Sequence, residues 1–215
     1  GNDTEEITKY KIEVEDMVEE TPDVAPVEQT PEVDGVNLYF RNDFPKIGGS
    51  QVQSSTTYED EYEAYKSMFE DGNGNLDSGN GTYFKDLENG LDLLFAGNET
   101  ADKKNDKKVM FGRTDVTGTP EDYSLVRSKI ESAYNRLKTD YDFYVKKAEE
   151  IKTRIGNGEI KKVSIALFAS TSSVAGDDYN VKLSLRRAHS MYKDVFKRLH
   201  KKDTEPDFTS TVPPE

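Results

Sequence analysis

The stretch "DDYNVKLSLRRAHSMYKDVFKRL", Asp177 to Leu199, decides how this chain is read. It follows "KKVSIALFASTSS", Lys161 to Ser173, so an apolar run leads through small residues into a segment with two adjacent arginines near its start. Leu183, Met191, Val195 and Leu199 recur at helical spacing and form the expected inward face. Lys182, Arg186, Lys193, Lys197 and Lys201 are expected on the solvated face. The run "KKVSIALFAS" is almost continuously apolar, the pattern of a central strand covered by helices on both sides. A strand passing through a small loop into a basic helix offers either a site for an acidic ligand at the helix start or plain packing of strand on helix.

Upstream of this pair lies a long helical pattern. Thr119-Pro120-Glu121-Asp122 combines an N-cap, a proline at the first helical position and an acid three residues on, which together satisfy orphan amide donors. Val126, Ile130, Ala133, Leu137, Tyr141, Tyr144, Ala148, Ile151 and Ile155 continue it, and Gly156-Asn157-Gly158 supplies a left-handed stop. Residues 120–155 would extend about 54 Å at 1.5 Å per residue, so a kink near Thr139-Asp140 or a protruding rod is expected.

Further upstream, "VNLYFRNDF" reads as the strand that opens the globular part, with Leu38 and Phe40 on one face and Tyr39 and Arg41 on the other. Residues 46–118 then read as an insertion. Within it, Tyr58, Tyr62, Tyr65 and Phe69 form one aromatic helical stripe. Phe84, Leu87, Leu91 and Leu94 form a second, closed by Gly97. "EDGNGNLDSGNG" and "NETADKKNDKK" read as mobile surface loops.

Composition and charge narrow the function. Of 215 residues 33% are hydrophobic and 33% charged, with a mean hydropathy of −0.84, which implies a compact core and a large polar periphery. Residues 1–35 carry twelve acids against Lys9 and Lys11, most of the formal net charge of −13. Within them "EETPDVAPVEQTPEVDG" has three prolines and no basic residue, an extended, self-repelling spacer. "ITKYKIEVEDM" before it allows a short strand. This field disfavours nucleic-acid phosphates, and no apolar run is long enough to span a membrane. Zero cysteines exclude disulfides and thiolate-ligated metals, and suit an exported protein as well as a cytosolic one. The start "GNDTEEITKY" resembles a tag-cleavage scar, with a signal sequence or further segment expected before it.

The order of strand, long helix, strand, small loop and Leu-Ser-x-x-Arg-Ala helix resembles the OmpA-like peptidoglycan-associated domain family. The residues that carry the likeness are Ala169-Ser170-Thr171-Ser172, Ser173-Val174-Ala175-Gly176, Tyr179-Asn180, Leu183-Ser184 and Arg187-Ala188. "LYFRNDFP" at 38–45 is similar to the family's opening strand, 139–155 to its first helix, and 162–200 to its second strand and helix. The family's final Gly-Arg-x-x-Asn-Arg-Arg section has no counterpart, because only "DTEPDFTSTVPPE" follows Lys202.

The resemblance implies an α/β (α+β sandwich) fold, an OmpA-like βαβαβ-type domain over 36–202 with the helical insertion 46–118 after the first strand. An acidic tail, 1–35, and a C-terminal tail, 203–215, flank it. It also implies a noncatalytic cell-envelope protein, periplasmic and outer-membrane-associated, with peptidoglycan, through its diaminopimelate stem peptide, as partner; a lipid anchor upstream is expected from the trimmed start and the flexible tail. The implied ligand residues are Arg187, Asn180, Thr171, Ser172, Leu183 and Asp177. In the family a loop Asp and the helix Arg grip the zwitterionic amino-acid head, as charge and geometry require. Arg187 stands in the Arg position, but Ser172 replaces the Asp, a charged hydrogen bond worth about 1.5–3 kcal/mol. Asp177 or Asp178 are the alternatives for that charge. The competing expectation is a structural or interaction subunit, of an envelope-spanning machine or a phage particle, that keeps the scaffold without the ligand.

No cofactor or metal is expected. "DGNGNLD" spaces Asp71, Asn73, Asn75 and Asp77 like the start of a calcium loop, but Leu76 stands where glycine is required and Thr82 where a bidentate Glu is required. A solvated turn is the better reading. "FASTSS" lacks the Gly-x-Ser-x-Gly elbow of a nucleophile. His189 and His200 are expected at the surface, without metal or proton-shuttle roles.

Overall fold

The computed structural model describes residues 8–14, 35–77, 82–160, 163–169 and 176–199. They are predominantly helical, and the α/β sandwich expected from the sequence is not what forms. Five helices run in order: α1 (Tyr58–Lys66), α2 (Thr82–Phe95), α3 (Ala101–Phe111), α4 (Pro120–Gly156) and α5 (Asp177–Leu199). Among the described residues the named strands are β1 (Thr8–Val14) and β2 (Val163–Ala169), paired antiparallel with Ile12 opposite Ile165. A βαβαβ layer would need a further strand at "VNLYFRNDF" and a parallel crossover.

That strand is absent for a local reason. The Tyr39 amide donates to the Tyr58 hydroxyl (3.2 Å), which in turn donates to the Tyr39 carbonyl (3.3 Å). One side chain thus takes both backbone groups that a neighbouring strand would have used. The chain then turns, with the Phe44 amide on the Arg41 carbonyl and Asp43 in the left-handed region at φ 60°. Ile47 and Ser54 form an isolated bridge that folds 46–55 back on itself.

The chain divides into two compact units, Gly1–Tyr62 with Asp140–Glu215, and Glu63–Thr139. Residues 46–62 belong to the first unit, and the first half of α4 to the second.

In the first unit the core is aromatic. Tyr58 is fully buried, with its ring 5.1 Å from Phe40 and 6.1 Å from both Tyr141 and Tyr144. Tyr62 stacks on Tyr141 at 3.6 Å. Leu185 and Ala188 of α5 pack with Val52 from the 46–55 turn. Burial lifts the Tyr141 hydroxyl to about 12, and lifts Tyr58 and Tyr144 above the ordinary tyrosine value as well. A raised folded-state value means that the neutral phenol is favoured on folding, so stability is intact below about pH 10 and declines as the pH rises above it. Alkaline titration is accordingly expected to unfold this unit between about pH 10 and 12. Phenolate absorbance and loss of ellipticity should rise together, rather than the phenols titrating in a folded chain.

In the second unit Phe69, Phe84, Leu91, Leu94, Val116, Val126, Ile130 and Leu137 are buried, so Phe69 of the first expected stripe and Phe84, Leu91 and Leu94 of the second lie in this core. Tyr134 replaces the expected Ala133 on the α4 face; its ring lies 5.6 Å from Phe69 and its hydroxyl donates to Glu70 (2.7 Å). The start of α4 is a reciprocal cap. The Asp122 amide donates to Thr119 Oγ1 (3.3 Å), and Asp122 Oδ2 accepts from the Thr119 amide (3.0 Å). These amides hold the Asp122 carboxyl below its usual range. Gly118 precedes the cap at φ 80°, and a Cβ there would come within 2.8 Å of the Phe95 ring. Alanine therefore meets both strain and a clash.

Two local expectations change here. Residues 101–111, read as loop, form α3, with Thr100 accepting from the Lys103 amide and Gly112 closing the helix at φ 73°. Of the two arrangements expected for α4, the two-segment one does not form, because the helix continues through Thr139-Asp140 to Gly156. Its C-terminus is at the predicted glycines, with Gly158 at φ 74°.

Candidate functional site: the head of α5

α5 begins at Asp177, and the Asn180 amide donates to the Gly176 carbonyl (3.1 Å) in its first turn. Of the expected ligand residues, Thr171 and Ser172 lie outside the described residues, as does the Asp177 side chain. Asn180 is half-buried, and Leu183 is a core residue. Arg187 is half-buried beside the 41–44 turn. Its Nε donates to the Phe44 carbonyl (3.1 Å) and its Nη2 to the Arg41 carbonyl (3.3 Å). Its guanidinium sits 5.5 Å from the Phe40 ring centroid. Burial pulls its proton affinity below the ordinary arginine value, against the pull of Asp43.

Arg186, expected in solvent, is the more deeply buried of the pair at 3% exposure. Its Nε donates to the Pro45 carbonyl (3.0 Å) and its Nη1 to the Gln51 carbonyl (2.8 Å). The two arginines therefore bind four carbonyls between residues 41 and 51. The rest of this region is knitted to the same helix. Tyr179 donates to Asp43 Oδ1 (2.8 Å), which raises the phenol's value. The Ser54 amide donates to His189 Nδ1 (3.0 Å). His189 is buried, at 5% exposure, and not on the surface as its sequence context suggests. Arg41 is held by Glu61 Oε2 (3.1 Å) and lies 3.6 Å over the Phe44 ring.

Toward the other end of α5 is a second polar centre that the sequence did not announce. Asp194 is fully buried. It accepts from the Glu59 amide at the start of α1 (3.1 Å), from the Tyr144 hydroxyl (2.6 Å) and from Arg198 Nε (2.8 Å). Arg198 also donates to the Tyr141 hydroxyl (2.9 Å). The legible signal was the Asp194–Arg198 spacing of four, which places the pair on one helix face.

Chemically, these two centres tie α5 to α1, α4 and the 41–57 segment with charge-assisted hydrogen bonds. Among the described residues no group of three or more His, Asp or Glu is gathered as a metal ion would need. The Asp71 carboxylate accepts from the Asn73 and Asn75 amides (2.8 and 2.9 Å) and closes the turn expected at "DGNGN". No helix among the described residues is long and apolar enough to cross a membrane. No protein-family model, curated protein or solved structure matches this chain.

Proposed function

We propose that this chain is a noncatalytic structural or interaction subunit in which the head of α5 is an internal joint and not a peptidoglycan receptor. One observation carries the reading: both guanidinium groups where a ligand carboxylate would be gripped already bind carbonyls of residues 41–51. Turning Arg187 toward a ligand would take the guanidinium from the Phe44 carbonyl and leave the Arg41 carbonyl with the Phe44 amide alone, at about 1–3 kcal/mol for a bond left unmade. A charged bond to the ligand returns about 1.5–3 kcal/mol, so the exchange gains little affinity. The cell-envelope setting, with a periplasmic location, rests on the sequence resemblance at Tyr179–Ala188.

A calorimetric titration of the 215-residue chain with a diaminopimelate-containing muropeptide tests this. The expected result is no saturable heat, with Arg187→Ala lowering the unfolding midpoint. Saturable binding that Arg187→Ala abolishes while stability is unchanged would overturn it in favour of peptidoglycan recognition.

A further inference from the structure

We propose that the hydrogen bond from the Ser54 amide to His189 makes the seating of residues 45–57 on α5 acid-labile, a pH-sensitive latch within the first unit. His189 Nδ1 can accept from the Ser54 amide at 3.0 Å only while it carries no proton, so the seated ring is neutral with its hydrogen on Nε2. A proton added to Nδ1 would set donor against donor. Ser54 is 4% exposed and His189 5%, so water does not replace the lost bond in place. The segment must move for the ring to charge.

Charges of both signs surround the seated segment. Arg186, one turn before His189 on α5, is buried and holds Pro45 and Gln51 of the same segment. Lys193 lies one turn after it, and Lys46 is on the segment itself. Among the described residues three carboxylates belong to this neighbourhood: Asp60 of α1 accepts from Thr57 of the segment and neighbours Lys193, and the other two are each bound to an arginine. Glu61 of α1 reaches Ser54 through the Thr56 hydroxyl and is paired with Arg41. Asp194 of α5 is paired with Arg198 and faces Tyr144 of α4. β2, which lies against α5, has no ionisable residue in its sequence, and β1 contributes Lys9, Tyr10, Lys11 and Glu13.

The sign follows from linkage. A released, solvated imidazole has the ordinary histidine value of about 6.5, whereas the bond from the Ser54 amide needs the Nδ1 lone pair. The released state binds more protons, so seating weakens as the pH falls. Between pH 7.5 and 5.5, where carboxylates stay ionised, the loss is about tenfold in the seating equilibrium.

The test is amide-exchange NMR on the full chain. The protection factor of Ser54 is expected to fall about tenfold from pH 7.5 to 5.5. His189→Asn, whose Oδ1 is placed to accept the same amide, is expected to remove that dependence, whereas His200→Asn keeps it. A Ser54 protection factor unchanged across the window in the wild type, or one that falls equally in His189→Asn, would overturn the proposal. Should His189→Asn fail to fold, the wild-type imidazole nitrogen shifts decide. Protonation of Nδ1 with the same midpoint as the loss of protection supports the latch, and protonation with Ser54 still protected overturns it.

Discussion

Asp194→Ala is expected to lower the unfolding free energy by about 3–5 kcal/mol, the loss seen when one partner of a buried ion pair is removed and the other remains. The size follows from the number of groups the carboxylate serves. It is fully buried, and it takes a backbone amide from α1, a phenol from α4 and a guanidinium from its own helix. Alanine leaves all three donors without that acceptor, and leaves Arg198 with the Tyr141 hydroxyl (2.9 Å) and Glu59 at 3.5 Å. Asp194→Asn keeps one accepting oxygen, so a loss of roughly half that size is expected. Urea unfolding followed by ellipticity reads both. Equal, small losses in the two variants would show that the carboxylate is dispensable.

The second large effect is expected at Arg186. Its two bonds to Pro45 and Gln51 are charge-assisted, worth about 1.5–3 kcal/mol each, and their oxygens belong to a turn with no sheet to satisfy them. Arg186→Ala removes both and opens a space beside Leu185 and Val52, so a loss of about 3–5 kcal/mol is expected. Arg186→Lys should recover only part of it, because an ammonium cannot reproduce the planar fork that spans the two carbonyls. Full recovery by lysine would mean that charge, and not the fork, holds the turn.

These two residues also show where sequence reasoning failed. Helix limits set by local chemistry were readable: Thr119 and Asp122 cap α4 as their spacing implies, and the glycines at 156–158 end it. Apolar periodicity found Tyr58, Phe69, Phe84 and Leu91 in the cores of their units. α3 escaped because "ADKKNDKKVMF" has almost no apolar stripe. What forms it is the Thr100 cap, the Gly112 stop and Lys107, whose ammonium reaches Glu99 at 3.0 Å.

The larger error was at 36–44. Alternating Leu38, Tyr39, Phe40 and Arg41 has a strand's period, but period alone does not supply a partner strand, and Tyr58 took the backbone groups instead. That single substitution of a side chain for a strand removes the expected sandwich. Arg186 and His189 were misplaced for a related reason. Polar residues on an amphipathic helix read as solvated unless their partners are known, and these partners lie about 135 residues away in the chain. Residues 170–175, which carry Thr171 and Ser172, fall outside the described residues.

The internal-joint role of the α5 arginines is tested most directly by amide exchange across residues 41–54 in Arg187→Ala. If the guanidinium holds the turn, protection falls through Phe44 and its neighbours while α4 amides keep theirs. Unchanged protection across the turn, in a variant that has lost muropeptide binding shown by the wild type, would contradict the joint and return Arg187 to the role of ligand anchor.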